Sequence, residues 1–245
     1  MVINGNFKEF KPSKENFTPL KVMPAPLPAL FLLNERAVPG GAAWNMAMDE
    51  ALLNQATKPV LRVYRWEETA VSFGYFLPWQ AAEAAGAGRK TVRRWTGGGI
   101  VEHGEDFTWS LTVPGGVFSR LRPVESYIAL HGALAEALRK TGQPVEQVPA
   151  SAEVPAGGLC FTAPAPGDLI LKGRKIAGAG QRRGRHGLLH QGSVCGVSLP
   201  DDFPVLLAAA LAEEVQDFPP SLVPVAAAGE LVRSRYGTDS WLRRR

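Results

Sequence analysis

Hydrophobic and polar residues alternate along this chain with two different periods, and the shorter period marks several strands. The segment "FTWSLTV" alternates at every residue, which predicts a half-buried strand. The segments "LRVYRW" and "AVSFGYF" are typical of short strands. "DLILKGRKIAGAG" predicts a hairpin that turns at "KGR", and "LLHQGSVCGVSL" predicts one further strand.

The longer, helical period marks the remaining regular segments. In "AWNMAMDEALLNQA", Trp44, Met48 and Leu52 lie on one stripe, which predicts an amphipathic helix. "VESYIALHGALAEALRKTG" predicts the clearest helix, which Gly142 ends. "FPVLLAAALAEEV" predicts another helix, and we expect a short final helix from "AAAGELVRSRYG" onward.

The order of these elements predicts an α+β fold. Strands and helices are interspersed and hairpins join several strands, which favours a central mixed, largely antiparallel sheet flanked by helices. Residues 1–30 are polar and then proline-rich, so we expect an N-terminal extension, followed by one domain over residues 31–245. Residues 143–167 are rich in Pro, Ala and Gly and predict an irregular surface connection.

Composition narrows the class of protein. With 245 residues, 45% of them hydrophobic and 20% charged, the chain has the composition of a globular protein. Its N-terminus has no apolar signal region and no apolar run reaches the roughly 20 residues that a membrane helix needs. Two cysteines, Cys160 and Cys195, are too few for a disulfide scaffold, so we expect a cytoplasmic location and no membrane contact.

The positive charge is small but concentrated near two motifs. The net charge of +4 favours an acidic protein partner or an anionic substrate. We expect no nucleic-acid partner, because the chain lacks the basic, aromatic-interleaved motifs of common DNA- and RNA-binding modules. With four histidines, no CxxC and no HExxH, we expect no metal site.

The first motif, "RRWTGGGIVEH", places two arginines before three glycines and a histidine. Arg93 and Arg94 carry forked donors that suit a carboxylate or phosphate. Gly97, Gly98 and Gly99 allow close approach of a ligand to the backbone. These residues alone fit a binding loop and an ordinary glycine hairpin about equally well.

The second motif, "GRKIAGAGQRRG", sets one lysine, Lys175, among small and apolar residues. A partly desolvated ammonium there can stabilise a developing oxyanion. Its last glycine is one position late for a dinucleotide fingerprint, and no acidic residue follows at the usual distance, so we reject that alternative.

Taken together, "NMAMDEALL", "RRWTGGGIVEH", "DLIL", "GRKIAGAGQRR" and "LLHQGS" resemble the lipoate–protein ligase and octanoyltransferase family. The elements occur in the family's order over roughly residues 30–200. The resemblance implies a class II synthetase-like fold, shared with biotin–protein ligases, and an acyltransferase catalytic domain over residues 31–245. It also implies an acyl pocket floored by the arginine–glycine loop and the lysine strand.

The resemblance assigns roles to individual residues. Cys160, in "GLCFTAP", stands where the cysteine-dependent octanoyltransferases carry the residue that forms the acyl-enzyme, and Lys175 is the second catalytic residue. Cys195 lies in an alternating strand and is expected to be an ordinary buried cysteine. The resemblance implies that the substrate is bound by Arg93, Arg94, Gly97, Gly98, Gly99, His103, Gly178 and His190.

We therefore expect an octanoyltransferase that moves an octanoyl group from acyl carrier protein, through a Cys160 thioester, to a lysine of a lipoyl-domain or glycine-cleavage H-type protein. This reaction needs no cofactor. One alternative is an ATP-dependent lipoate–protein ligase, which would use ATP and Mg²⁺ to form an acyl-adenylate. Another is a catalytically silent protein that binds an acyl or lipoyl group.

Three departures from the family pattern bear on this choice. The third glycine, Gly99, is typical of the ligases, whereas transferases often replace it. The family's His-Asp pair is "HGED" here, which leaves the acidic partner of His103 open. The segment after residue 200 is too short for the C-terminal accessory domain of the ligases, and this favours the transferase.

Overall fold

The computed structural model describes residues 25–116, 118, 121–152 and 164–244. Within these ranges the chain forms eleven strands and six α-helices, with one 3-10 turn (Pro220–Leu222) and one π-helical turn (Val232–Tyr236) near the end. In chain order the elements are β1 (Leu27–Asn34), α1 (Ala42–Gln55), β2 (Val60–Tyr64), β3 (Ala70–Phe73), α2 (Trp79–Gly86), β4 (Lys90–Arg93), β5 (Ile100–His103), β6 (Phe107–Pro114), α3 (Pro123–Lys140), β7 (Glu146–Gln147), β8 (Leu169–Leu171), β9 (Arg174–Gly184), β10 (Gly187–Val194), α4 (Phe203–Leu211), β11 (Ala212–Asp217), α5 (Val225–Leu231) and α6 (Asp239–Leu242).

The strands form a large sheet and a small one. The large sheet has the order β11-β1-β2-β6-β10-β9-β8-β7. Strand β1 runs parallel to β11 and β2, and all other neighbours in this sheet are antiparallel. The small sheet has the order β4-β3-β5, with β3 and β4 parallel. The predicted α+β fold with a mixed, largely antiparallel central sheet is confirmed.

Each face of the large sheet carries its own hydrophobic cluster. On one face, α3 and α4 pack on side chains such as Leu61, Trp109 and Leu111. On the other face, α1, the small sheet and the C-terminal helices pack around side chains such as Val60 and Tyr64. Because successive side chains of a strand point to opposite faces, β2 contributes to both clusters. The sheet is therefore the middle layer of the domain.

Strand β6 is buried on both faces, so the prediction of a half-buried strand is wrong. Trp109 and Leu111 contact the α3 and α4 layer, while Thr108, Ser110 and Thr112 are buried on the other face. The polar side chains there accompany other buried polar groups; the Ser110 hydroxyl, for example, donates to Asp49 Oδ1 at 2.7 Å. The polar residues of this alternating strand therefore face other buried polar groups inside the protein and not the solvent.

Helix α1 confirms the predicted helix but not its amphipathic character. It is covered by the sheet on one side and by α5 and β4 on others, so even Asp49 and Glu50 are buried. Asp49 accepts hydrogen bonds from Arg62 Nη1 at 2.8 Å and Gln191 Nε2 at 2.7 Å. Glu50 accepts one from the Tyr236 hydroxyl at 2.6 Å. Hydrogen bonds and ion pairs with neighbouring residues therefore replace the solvent contact that the amphipathic pattern predicted for these two carboxylates.

Two predicted elements have the expected bounds and two differ. The clearest predicted helix is α3, and Gly142 follows it with φ of 83°. The predicted hairpin joins β8 to β9 through Lys172 and Gly173, both with positive φ, as a tight hairpin turn requires. The helix predicted in "FPVLLAAALAEEV" ends at Leu211, because the next residues pair with β1 as strand β11. Residues 143–167 include a short edge strand, β7, where only irregular structure was expected.

The start of the domain lies slightly before the predicted boundary. Strand β1 begins at Leu27, and its first residues pair with β11, so residues 27–30 belong to the sheet and not to an extension. Residues 1–24 lie outside the described residues, and the extension stays a prediction for them. None of the described helices combines the length and the apolar character that crossing a bilayer requires.

Candidate functional site

A cavity lies between the middle of the large sheet and the small sheet. Its volume is about 440 Å³, which includes the open solvent at its mouth. Strands β9 and β10 form one wall, and β3, β5 and helix α1 supply side chains opposite. Its lining combines large apolar, very small and polar residues: Met46, Tyr64, Trp66, Ser72, Arg94, Val101, His103, Thr108, Lys175, Gly178, Ala179, Gly180, Gln191, Gly192 and Ser193.

Arg94 connects the cavity to the glycine loop. Its buried guanidinium donates from Nη2 to the carbonyl oxygens of Gly97, at 3.2 Å, and Gly99, at 2.8 Å. Gly98, between them, has φ of 96°, a conformation that favours glycine. The Gly97 amide donates to the carbonyl of Gln181 at 3.3 Å, so the loop is attached to strand β9. Arg94 therefore fixes the shape of the loop from inside the cavity.

The loop passes so close to strand β9 that a side chain at Gly180 has no room. A Cβ atom at Gly180 would lie 2.3 Å from the carbonyl oxygen of Gly97. A Cβ at Gly178 would lie 2.6 Å from Cε of Lys175, a contact that a shift of the lysine side chain can relieve. Gly180 thus lets the loop approach the strand, and Gly178 lines the cavity.

We expect Gly180→Ala to displace the glycine loop, because backbone cannot give way cheaply at 2.3 Å, and to raise the KM for the acyl substrate that the family resemblance implies about tenfold or more. Gly184→Ala is the matched control on the same strand, since a Cβ there meets no atom within 4 Å. Steady-state kinetics of both variants check this. A normal KM for Gly180→Ala would show that the loop is not part of the binding site.

Lys175 lies at the cavity in a buried ion pair that the sequence did not predict. Its Nζ is 2.7 Å from Oδ2 of Asp168, and the two side chains are 3% and 1% exposed. Asp168 also accepts a hydrogen bond from the Tyr127 hydroxyl at 2.6 Å and one from the amide of Ala165 at 2.7 Å. Tyr127 in turn accepts one from the amide of Ala179. Asp168 thus holds the ammonium at the cavity wall.

His103 lines the cavity, and its acidic partner is Asp106. Its Nδ1 is 2.8 Å from Oδ2 of Asp106, which answers the question that "HGED" left open. Burial lowers the pKa of His103, and Asp106 only partly opposes this effect. Burial by itself would raise the pKa of Asp106, but hydrogen bonds from His103, Ser193 and Thr108 outweigh it and lower that pKa to about 2. The pair at neutral pH is a neutral imidazole and a carboxylate.

Arg93 does not line the cavity, although the family resemblance assigned it to the substrate. Its guanidinium donates to the carbonyl oxygens of Tyr75, Leu77 and, near the C-terminus, Leu242 and Arg244. Adjacent residues of an extended chain point in opposite directions, so Arg93 and Arg94 cannot serve one cavity. Arg93 instead attaches the C-terminal segment to the small sheet.

His190 also lies outside the cavity for the same geometric reason, and its role in substrate binding stays a prediction. Gln191 and Ser193 of β10 line the cavity, whereas His190 points to the α3 face, where its ring packs at a tilt against Trp109. Burial lowers the pKa of His190 well below its usual value, so the ring is neutral.

The three glycines of the loop flank the cavity through Arg94 and Gly180 and are not in its wall.

The two cysteines differ in what can be said of them. Cys160 lies outside the described residues, so its catalytic role stays a prediction. Cys195 follows strand β10 and is half-buried, and its amide donates to the carbonyl of Ile176. Burial raises the pKa of its thiol, which disfavours the reactive thiolate.

Sequence reasoning missed Asp168, Tyr127 and Ser72. Asp168 begins the "DLIL" motif, so the motif itself carried a signal that we attributed only to the strand. Tyr127 lies on α3, and its hydroxyl reaches Asp168. Ser72 sits in the middle of β3 and carries no sequence signal of its own.

The chain matches a known family model over most of the domain. The model of the lipoyl protein ligase A/B catalytic domain matches residues 41–225. Curated relatives include the octanoyltransferase LipM of Kyrpidia tusciae, 33% identical in an alignment of 178 residues that covers 63% of this chain and 62% of that protein. The octanoyltransferase LipM of Staphylococcus epidermidis is 35% identical in an alignment of 167 residues that covers 62% of this chain and 60% of that protein. The chain thus spans less than two thirds of the length of these relatives.

Solved structures with a similar fold come from Thermoplasma acidophilum. Protein Ta0514 with bound lipoic acid aligns with a TM-score of 0.70 and 20% identity over 89% of this chain and 99% of that chain. A bi-partite lipoate protein ligase aligns with a TM-score of 0.63 and 20% identity over 89% of this chain and 96% of that chain. At this identity the two structures establish the shared fold, which is the fold that the resemblance implied.

Proposed function

Because the chain belongs to the lipoyl protein ligase A/B catalytic domain family, as its motifs predicted, we propose that it transfers an octanoyl group to a lysine of a lipoyl-accepting protein. The curated relatives named octanoyltransferase LipM support this choice of reaction. The observation that carries it is the buried ammonium of Lys175, held by Asp168 at the wall of a cavity with apolar side chains. Such a site suits an apolar chain that ends in a polarised carbonyl.

In the proposed reaction the acyl group passes through Cys160. The Cys160 thiolate attacks the carbonyl carbon of an octanoyl thioester on acyl carrier protein, a new C–S bond forms, and the carrier thiol leaves and takes up a proton. The acceptor lysine amine then attacks the Cys160 thioester, the C–N bond forms, the C–S bond breaks and the amine loses a proton. Neither step uses ATP, a metal or another cofactor.

Lys175 has the same role in both steps. An oxyanion develops on the acyl oxygen in each attack, and a positioned ammonium in a water-poor site stabilises that charge more than water does. An ammonium carries three N–H groups, so the contact with Asp168 is compatible with a hydrogen bond to the acyl oxygen. Asp168 and Tyr127 fix where the ammonium lies.

The proposed partners are two acidic proteins, octanoyl-acyl carrier protein as donor and a lipoyl domain or glycine-cleavage H-type protein as acceptor. Exposed basic residues at and after the hairpin turn support this, among them Lys172, Arg174 and Arg185. Charges of this kind speed the encounter of proteins with an opposite charge. The transferred acyl group itself enters the cavity, so each partner needs only to dock at the cavity mouth.

A two-arm assay tests the function. In the first arm the purified chain receives octanoyl-acyl carrier protein and a lipoyl domain without ATP, and in the second it receives octanoate, ATP and Mg²⁺ with the same acceptor. We expect octanoylation of the acceptor, measured by intact mass, in the first arm only. Labelling in the second arm only would make the chain an ATP-dependent ligase. Binding of the acyl group without labelling in either arm would make it a silent binding protein.

A further inference from the structure

Four polar side chains form a continuous row from the large sheet to the glycine loop. Oδ2 of Asp106 is 2.8 Å from Nδ1 of His103, and Nε2 of His103 is 2.6 Å from the Ser72 hydroxyl. Nη1 of Arg94 is 2.7 Å from the same hydroxyl, and its Nη2 holds the carbonyl oxygens of the glycine loop. Ser72 and His103 both line the cavity and both are buried.

The direction of every hydrogen bond in this row is determined. A guanidinium can only donate, so the Ser72 oxygen accepts from Arg94. The Asp106 carboxylate can only accept, so the single proton of the neutral His103 ring is on Nδ1. Nε2 is then the unprotonated ring nitrogen, and it accepts the Ser72 hydroxyl proton. The row thus runs without interruption from a carboxylate at one end to a guanidinium at the other.

The row is held rigidly at its Asp106 end. The carboxylate also accepts hydrogen bonds from the hydroxyls of Thr108, at 2.7 Å, and Ser193, at 2.6 Å. The ring of His103 lies flat against Trp66, with the ring centroids 4.0 Å apart. Thr108 and Ser193 belong to strands of the large sheet, so the row connects the loop to a fixed point on that sheet.

We propose that Ser72, His103 and Asp106 are positioning residues that hold Arg94, and through it the glycine loop, in place beside the cavity. The arrangement has the order of a serine–histidine–aspartate triad, but its serine oxygen is engaged by Arg94 on one side and by His103 on the other. The serine oxygen therefore holds the arginine and is not directed at a substrate carbonyl. This role rests on the proposed function only for its effect on substrate binding.

The first test measures the loop without any activity assay. Ser72→Ala breaks the row between His103 and Arg94, and we expect faster amide hydrogen exchange over residues 95–101 with exchange in α3 unchanged. Ser126→Ala is the matched control, because it removes another buried serine hydroxyl, one that contacts Arg183 and Gln181 instead. Ser72→Thr keeps the hydroxyl on a strand and should restore slow exchange. Unchanged exchange in Ser72→Ala overturns the proposal.

A second test needs no substitution. Nitrogen-15 NMR of histidine side chains in the intact chain at neutral pH should show His103 neutral, with its proton on Nδ1 and none on Nε2. The opposite tautomer contradicts the row, because Nδ1 would then face the Asp106 carboxylate without a proton. A charged ring also contradicts it, because Nε2 could no longer accept the Ser72 hydroxyl proton.

Kinetics connect the row to the proposed function. We expect Ser72→Ala to raise the KM for octanoyl-acyl carrier protein about tenfold while kcat changes less than about threefold, since only binding geometry is lost. An acyl adduct on Ser72 would make it a nucleophile and overturn the positioning role. A fall in kcat at constant KM would show that the hydroxyl acts in the transition state and would also overturn that role. If the chain transfers no octanoyl group at all, the proposed function fails, and the exchange and NMR results still decide the row.

Discussion

Replacing Lys175 by alanine is expected to lower the turnover number for octanoyl transfer by roughly 10²–10³-fold, the usual cost of losing one preorganised oxyanion donor. The ammonium lies at the cavity wall. In the proposed reaction, both acyl-transfer steps place an oxyanion within its reach. Lys175→Arg should not restore the rate, because the guanidinium is larger and planar while Lys175 already packs tightly over Gly178.

Stability has to be separated from catalysis in this experiment. Removing Lys175 leaves the Asp168 carboxylate buried without its partner, which typically costs about 3–5 kcal/mol. The double variant Lys175→Ala/Asp168→Asn removes that charge and keeps an oxygen for Tyr127 to bond. We expect the double variant to regain most of the free energy of unfolding but none of the turnover. Recovery of turnover in the double variant would show that Lys175 only balances the charge of Asp168.

Replacing Cys160 by serine is expected to abolish net octanoyl transfer or to reduce it severely. An alcohol is a far weaker nucleophile than a thiolate unless a strong base lies beside it. Cys195→Ser is the matched control, and we expect it to keep nearly normal turnover. Its half-buried thiol, whose pKa is raised by burial, has no part in the proposed reaction.

Both cysteine variants are assayed with octanoyl-acyl carrier protein and a lipoyl domain, and folding is checked by thermal unfolding. Equal losses in the two variants would point to a shared effect on structure rather than to a nucleophile. Normal transfer by Cys160→Ser, with or without ATP, would mean that Cys160 is an ordinary cysteine and that the ligase alternative is correct.

Local sequence patterns predicted where helices and turns lie better than they predicted how deeply those elements are buried. The helix α3, its stop at Gly142 and the hairpin at Lys172 and Gly173 depend on turns and periodicity within a few residues, and these predictions are confirmed. The burial of β6 and α1 depends on what packs over them from distant parts of the chain. Ser110 and Asp49 are polar yet buried because they bond to each other, which no periodicity reveals.

The end of α4 has the same explanation. The residues after Leu211 are good helix formers, and their periodicity continues the helix. Strand β1 offers them a parallel edge, and pairing along that edge outweighs the local preference. The residues of the segment itself carry no sequence signal that predicts such a long-range pairing.

The motifs identified the region of the site but not the direction of its side chains. The arginine–glycine loop and the lysine strand do lie together, with Arg94, Lys175 and Gly178 at one cavity. Neighbouring residues in the same motifs, Arg93 and His190, point to other layers because strand side chains alternate. That alternation is a property of the sequence itself, so it is sufficient to separate Arg93 from Arg94 and His190 from Gln191.

The ionic partner of Lys175 could be identified only from the folded structure. Asp168 precedes Lys175 in sequence across the hairpin that joins β8 to β9, and only the register of that hairpin places the two charges at 2.7 Å. The same holds for Ser72, which reaches His103 across the pairing of β3 with β5.

The central claim is that the chain carries the acyl group on Cys160 before the acceptor arrives. Intact-mass and peptide-mass spectrometry after incubation with octanoyl-acyl carrier protein alone, without ATP or acceptor, tests it most directly. We predict one octanoyl adduct that hydroxylamine removes, located in the peptide that contains Cys160 and not in the one that contains Cys195. Absence of an adduct under conditions in which the acceptor is octanoylated, or an adduct confined to another residue, would contradict the account.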